Sequence, residues 1–166
     1  LDIQPLTNLA FKLLMIPALT LAAIGLYFSN DIMNLLYHEH GALSAPVFTM
    51  LMFSFVCIST SYIFGTLLTA NGSLQNLNLT ALGGMILNIS LNLFLIPQYK
   101  ASGAAFAGLI TQVIMALAQI ILAVKILNWK PHWKLMGKLL LFFTLIALIA
   151  NIAVRYYPDI KTILVI

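Results

Sequence analysis

Long apolar runs broken by short polar stretches organise the chain. Five of them reach the roughly 20 residues that a helix rising 1.5 Å per residue needs to cross about 30 Å of hydrocarbon. They cover about residues 10–28, 45–69, 77–96, 103–126 and 135–154, and a sixth starts near Ile160. The first is expected to continue as a more polar helix as far as Tyr37. Residues that end helices fall between the runs: Asn30-Asp31, the stretch from Gly41 to Pro46, Asn71-Gly72-Ser73, then Pro97, Pro131 and Pro158. Proline lacks the N–H that a helix interior needs, so each of these is a reasonable stop. Pro17 instead lies within the first run. It predicts a kink whose freed carbonyl neighbouring helices satisfy, and it is the hinge candidate of the chain. The expected fold class is all-α, a polytopic transmembrane helix bundle with about five complete spans.

Composition sharpens this picture. Hydrophobic residues make up 62% of the chain, charged residues only 7%, and the mean hydropathy is +1.04. A soluble domain carries about 25% charge, which it needs to cover its surface. Disordered chains are poorer in apolar residues and richer in charge. A cleaved leader does not account for the pattern, because the hydrophobicity runs the whole length. The chain opens on Leu1 and stops inside the apolar run 162–166. Both ends are therefore expected to lie within a longer protein. The single Cys57 allows no internal disulfide.

The formal charge of +4 could suggest a nucleic-acid partner, but the basic residues sit between apolar runs, where they report membrane orientation. With alternating helices, Lys12, Lys125, Lys130, Lys134 and Lys138 fall on one side. Lys100, Arg155 and Lys161 fall on the other, with Asp31 and Glu39. The lysine-rich side is expected to be cytoplasmic, which puts residues 97–102 outside. In the stretch 126–138, Trp129 and Trp133 are four apart, and so are Lys130, Lys134 and Lys138. On a helical turn each set forms a stripe. Tryptophans at headgroup level and snorkelling lysines make these residues interface anchors. The competing reading is a site for an anionic lipid or a substrate phosphate. Tyr156 and Tyr157 form the expected belt on the opposite face.

Little here points to catalysis. The four acids, Asp2, Asp31, Glu39 and Asp159, lie near chain ends or in connections. His38-Glu39-His40 is the only cluster with metal-ligating types, and neighbours at i and i+2 on a helix point apart. The expectation is no enzyme, no metal and no cofactor. No Gly-rich phosphate-binding loop occurs, and the three glycosylation patterns at Asn71, Asn78 and Asn88 fall in spans or on the cytoplasmic side. What remains is a set of uncharged polar groups within the spans. Asn88 and Asn92 share one helix face; Thr111, Gln112 and Gln119 lie on the next helix. Asn151 follows later, and Ser54, Ser59, Thr60 and Ser61 precede them. Such groups turn away from lipid, either to bond one another across helices or to line a polar cavity. Asn88, Asn92, Thr111, Gln112 and Gln119 are the substrate-cavity candidates. Small residues at Gly83-Gly84 and from Gly103 to Gly108 allow close helix approach, whether for a fixed seam or a sliding one.

One stretch is more specific than composition. Gly84-Met-Ile-Leu-Asn88-Ile-Ser-Leu-Asn92-Leu-Phe-Leu-Ile-Pro97-Gln-Tyr99-Lys-Ala-Ser-Gly103-Ala-Ala-Phe-Ala107 resembles a junction of the bacterial polysaccharide-export flippases. These belong to the multidrug/oligosaccharidyl-lipid/polysaccharide exporter superfamily. In that family an Asn-rich helix ending in Leu-Ile-Pro leads through a Tyr-Gly turn to a helix opening on Gly-Ala-Ala, here Gly103, Ala104 and Ala105. Lys100 and Ala101 stand where the turn glycine is usual, and Gly108 where threonine is common. Asn30 to Tyr37 and Ala70-Asn71-Gly72 are similar to further family segments. The resemblance covers most of residues 1–127, a polysaccharide biosynthesis C-terminal-type bundle, with 128–166 adding one more helix and the start of another.

It implies transport of undecaprenyl-linked oligosaccharide, such as an O-antigen, capsule or exopolysaccharide repeat unit, across the bacterial inner membrane by alternating access of two helix bundles. The chain would be most of the C-terminal bundle, its spans the ninth to thirteenth of fourteen. Its partners would be the bilayer, the missing N-terminal bundle, the lipid-linked glycan, and polysaccharide polymerase and chain-length proteins, with no nucleic acid. A drug antiporter of the same superfamily and a non-transporting membrane assembly subunit are the alternatives.

Overall fold

The computed structural model describes residues 3–37, 41–129 and 133–156. They form four helices, α1 (Ile3–Leu36), α2 (Gly41–Ala70), α3 (Leu74–Leu127) and α4 (Trp133–Tyr156). All four are long and apolar enough to cross a membrane. The fold is all-α and the chain is a membrane protein. In hydrocarbon a helix satisfies its own backbone donors and acceptors, so a chain this apolar has helices as its natural spanning element.

The count of four differs from the five expected runs because the third and fourth are joined in α3. At 54 residues, a straight α3 would be about 81 Å long, nearly three hydrocarbon thicknesses. It is not straight. Lys100 has φ 52° and ψ −127°, outside the helical region, and the chain reverses there. The arm before it (74–99) packs antiparallel against the arm after it (101–127). Three contacts set the register: Leu95 and Ile96 backbone against Gly103, Asn88 against Thr111, and Gly84 against Met115. A Cβ on Gly103 would run into the Leu95 carbonyl. The reversal is tight because that position lacks one.

Other boundaries also shift from expectation. Pro97 does not close its helix; the arm runs three residues further before Lys100 turns it. The proline ring fixes φ near the helical value and removes only its own N–H, so helical geometry persists past it for part of a turn. Residues 41–46 do not separate helices either. α2 begins at Gly41 and continues through Pro46 in its second turn, where only the one N–H is missing from the helical ladder. α1 passes through Asn30 and Asp31 to Leu36, as the polar extension anticipated, and through Pro17. Pro17 is exposed on the outer face of that continuous helix. Asn71-Gly72-Ser73 is a turn as expected. Gly72 has φ 78°, and Ser73 N–H donates to the Leu68 carbonyl while Gly72 N–H donates to Thr69. This is the double bond pattern that closes a helix on a left-handed glycine. Pro131, Pro158, His38 to His40 and the run from Ile160 lie outside the described residues.

Packing is sequential, α4 against α1, α1 against α2, α2 against α3. Small residues set the spacing. A Cβ on Gly25 would lie 2.9 Å from that of Met52, and Thr49 Oγ1 donates to the Gly25 carbonyl at 2.8 Å across the α1/α2 seam. At one end Phe11, Met15, Ile63, Phe64, Ala123 and Trp129 form a buried cluster. Phe64 meets Trp129 edge-on at 5.0 Å and Phe11 at 5.5 Å. The N-terminal parts of α1 and α4 lie side by side at that same end, where Asn8, Lys12, Lys134, Leu135 and Lys138 line one pocket.

Lys100 occupies a conformation that glycine adopts without strain and other residues at a cost of order 1–3 kcal/mol. Lys100→Gly is expected to raise stability by about 1 kcal/mol after the added freedom of the unfolded chain is subtracted. Gly103→Leu is expected to lower it by more than 2 kcal/mol through overpacking against Leu95. Thermal unfolding of the detergent-solubilised protein checks both signs.

Candidate functional site

The polar residues singled out in the sequence do not form one cavity. They divide between two seams. Asn88, Asn92 and Thr111 lie between the arms of α3 in a chain of hydrogen bonds. Asn92 Nδ2 donates to Asn88 Oδ1 at 2.9 Å, and Asn88 Nδ2 donates to Thr111 Oγ1 at 3.2 Å. Thr111 Oγ1 in turn donates to the Ala107 carbonyl at 2.8 Å. The i, i+4 spacing of the asparagines on one arm makes the first bond, and the reversal at Lys100 makes the second. Asn92 Oδ1 is buried at the end of the chain with no hydrogen-bond partner.

Gln119 lies two turns further along the second arm, 8% exposed, and faces α2 instead. Its Oε1 would sit 3.4 Å from a Cβ on Gly65 and has no partner, and neither has the buried Ser61 Oγ. Gln112, beside Thr111, is half-buried, as is Asn151 on α4. The hydroxyls of Ser54, Ser59 and Thr60 donate to carbonyls one turn back on their own helix, Met50, Phe55 and Val56. That bonding uses their one donor and leaves only oxygen lone pairs to a ligand. Ala105 is buried and Ala104 exposed at the start of the second arm.

A cavity of about 450 Å³ is apolar. It lies among α1, α2, the end of α3 and α4, with Phe11, Met15, Phe64, Ile120, Met136 and Phe143 in its wall and Thr60 the one hydroxyl-bearing residue among the described ones. Sequence reading missed it, because most of its wall looks like ordinary span residues and Trp129 and Trp133, which also line it, read as interface anchors. The expected tryptophan stripe also divides. Trp133 is 76% exposed at the start of α4, but Trp129 is 8% exposed within the aromatic cluster. Asn128 ends α3 in the left-handed conformation and turns Trp129 inward, so the two do not share a helical face. Lys134 is exposed beside Trp133, and Lys130 lies outside the described residues.

The arrangement offers neutral hydrogen-bond donors and acceptors and apolar surface. Among the described residues no group of three His, Cys, Asp or Glu could hold a metal ion. Compared with models of protein families, with curated proteins and with solved structures, the chain matches none. The fold and these seams define it as a polytopic α-helical membrane protein.

Asn88 makes two bonds, whereas Asn92 contributes one and leaves an acceptor unpaired. Asn88→Leu is therefore expected to destabilise the bundle more than Asn92→Leu. A double-mutant cycle of Asn88→Leu with Thr111→Val should return a coupling of about 0.6–1.7 kcal/mol, measured by reversible unfolding in mixed micelles.

Proposed function

We propose that the chain is the C-terminal bundle of a bacterial flippase for lipid-linked oligosaccharide, a multi-pass protein of the inner membrane. In this reading it crosses the membrane five times, the two arms of α3 separately. The observation that carries the proposal is the reversal at Lys100. It falls within the stretch from Gly84 to Ala107 that resembles the flippase junction, between the Leu95-Ile96-Pro97 end and the Gly103-Ala104-Ala105 start. The dihedrals of Lys100 are those that the turn glycine of that junction would favour. The four crossings that would precede α4 also return its N-terminal part to the face where α1 starts, in keeping with their shared pocket.

The bundle would form one wall of the path, moving against an N-terminal bundle. Asn92 Oδ1, Ser61 Oγ and Gln119 Oε1 would be acceptors available to sugar hydroxyls when the seams open. Charged contacts to the substrate, absent from the mid-span positions of this sequence, would come from the other bundle. Undecaprenyl-linked oligosaccharide, polymerase and chain-length proteins would be its partners.

A second reading has an observation of its own in favour. Asn88, Asn92 and Thr111 bond one another, as they would in a non-transporting assembly subunit with dry seams. Cysteine placed at Asn92 or Gln119 in a Cys57→Ser protein separates the two. Labelling by a water-soluble thiol reagent supports an aqueous path, and full protection supports the subunit. Deletion of the gene tests the flippase reading itself. Loss of surface polysaccharide, with lipid-linked repeat units accumulating in the inner leaflet and rescue by the intact gene, is the expected result. Unchanged polysaccharide in the deletion strain would refute it.

A further inference from the structure

We infer that the pocket between the N-terminal parts of α1 and α4 binds a lipid-borne phosphate. Its wall is Asn8, Lys12, Lys134, Leu135 and Lys138, around about 300 Å³. Asn8 and Lys12 are one turn apart on α1, and Lys134 and Lys138 are one turn apart on α4. Two short polar ladders therefore face each other across the seam. Among the described residues the wall carries three lysines and one amide, and no carboxylate. Among the described residues Asp31 is the one acid, and it lies about 28 Å along α1 from Lys12. Like charges one turn apart repel weakly, and an anion seated among the three lysines would relieve that repulsion.

The surroundings specify what carries that anion. Trp133, 76% exposed, marks headgroup depth at the start of α4. Below the lysines, on the same stripe of α4, Leu141, Leu145, Ile149 and Ile152 are exposed at helical spacing. Ile16, one turn below Lys12 on α1, is exposed as well. A phosphate held by Lys12, Lys134 and Lys138 would thus have its tails on an apolar track formed by both helices. The lysines are compact point charges with three rotatable donors each, suited to a phosphodiester or phosphomonoester of varied orientation. This inference stands on the pocket and does not rest on the flippase reading.

The test uses the intact protein purified into phosphatidylcholine nanodiscs and native mass spectrometry. Phosphatidylglycerol and a polyprenyl phosphate are titrated separately, with inorganic phosphate as a third arm. Retention of either lipid over phosphatidylcholine is expected, and the tighter of the two identifies the source. Each of Lys12→Gln, Lys134→Gln and Lys138→Gln should weaken retention about fivefold, and the triple variant about a hundredfold. Lys125→Gln, an exposed lysine that does not line the pocket, should leave it unchanged. A triple Lys→Arg variant should keep binding, which separates charge from folding. Equal losses from Lys125→Gln would mean diffuse attraction and overturn the site. So would no preference over phosphatidylcholine, or binding of inorganic phosphate without retained lipid.

Discussion

The reversal of α3 at Lys100 is the constraint on which the rest of the bundle depends. A continuous 54-residue helix would carry the chain across the bilayer and far beyond it, and would start α4 at the wrong end. Folding the helix back places Asn88 beside Thr111 and brings α2 against the second arm. It also returns the chain to the end where Phe11, Phe64 and Trp129 meet. The lysines of α1 and α4 share a pocket because the helical passes between them, α1, α2 and the two arms of α3, are even in number. One residue in an unusual conformation thus fixes which polar groups can meet.

The helices gain little from hydrophobic burial against one another, since lipid tails are as apolar as their side chains. Contact must come from shape and from polar pairs. Glycine supplies the shape at Gly25 against Met52 and at Gly103 against Leu95. Hydroxyl and amide bonds supply the rest, from Thr49 to Gly25 and along Asn92, Asn88 and Thr111. The aromatic cluster adds edge-on ring contacts of about 0.5–1.5 kcal/mol each. Such seams are modest in energy, about 0.6 kcal/mol for a typical interhelical hydrogen bond.

The all-helical, membrane-spanning character was legible in the sequence because length and apolarity define it; the count was not, since the third and fourth runs are joined in α3. The turn at Asn71-Gly72-Ser73 was legible too, since Gly72 supplies the positive φ that closes α2. The neighbours of each helix were not. In a soluble helix the apolar stripe points to the core, but here nearly every face is apolar and the stripe carries no direction. Sequence therefore grouped Gln119 with Asn88 and Asn92, although it faces Gly65 of α2. Trp129 read as an interfacial residue because a tryptophan beside lysines usually is one; its inward turn depends on the left-handed Asn128. The pairing of Lys12 with Lys134 and Lys138 spans most of the chain, and no local pattern carries it. Pro97 was a fair signal for a break, displaced by three residues because proline tolerates the helical φ.

Topology at Lys100 tests the account most directly. Single cysteines at Lys100 and Lys134 in a Cys57→Ser protein can be probed in sealed, oriented membrane vesicles with a membrane-impermeant maleimide. Reaction from opposite faces of the membrane is the result expected, with Lys12→Cys reacting from the same face as Lys134→Cys. Reaction of Lys100→Cys and Lys134→Cys from one face would contradict the account. Protection of Lys100→Cys within the bilayer from both faces would do so equally.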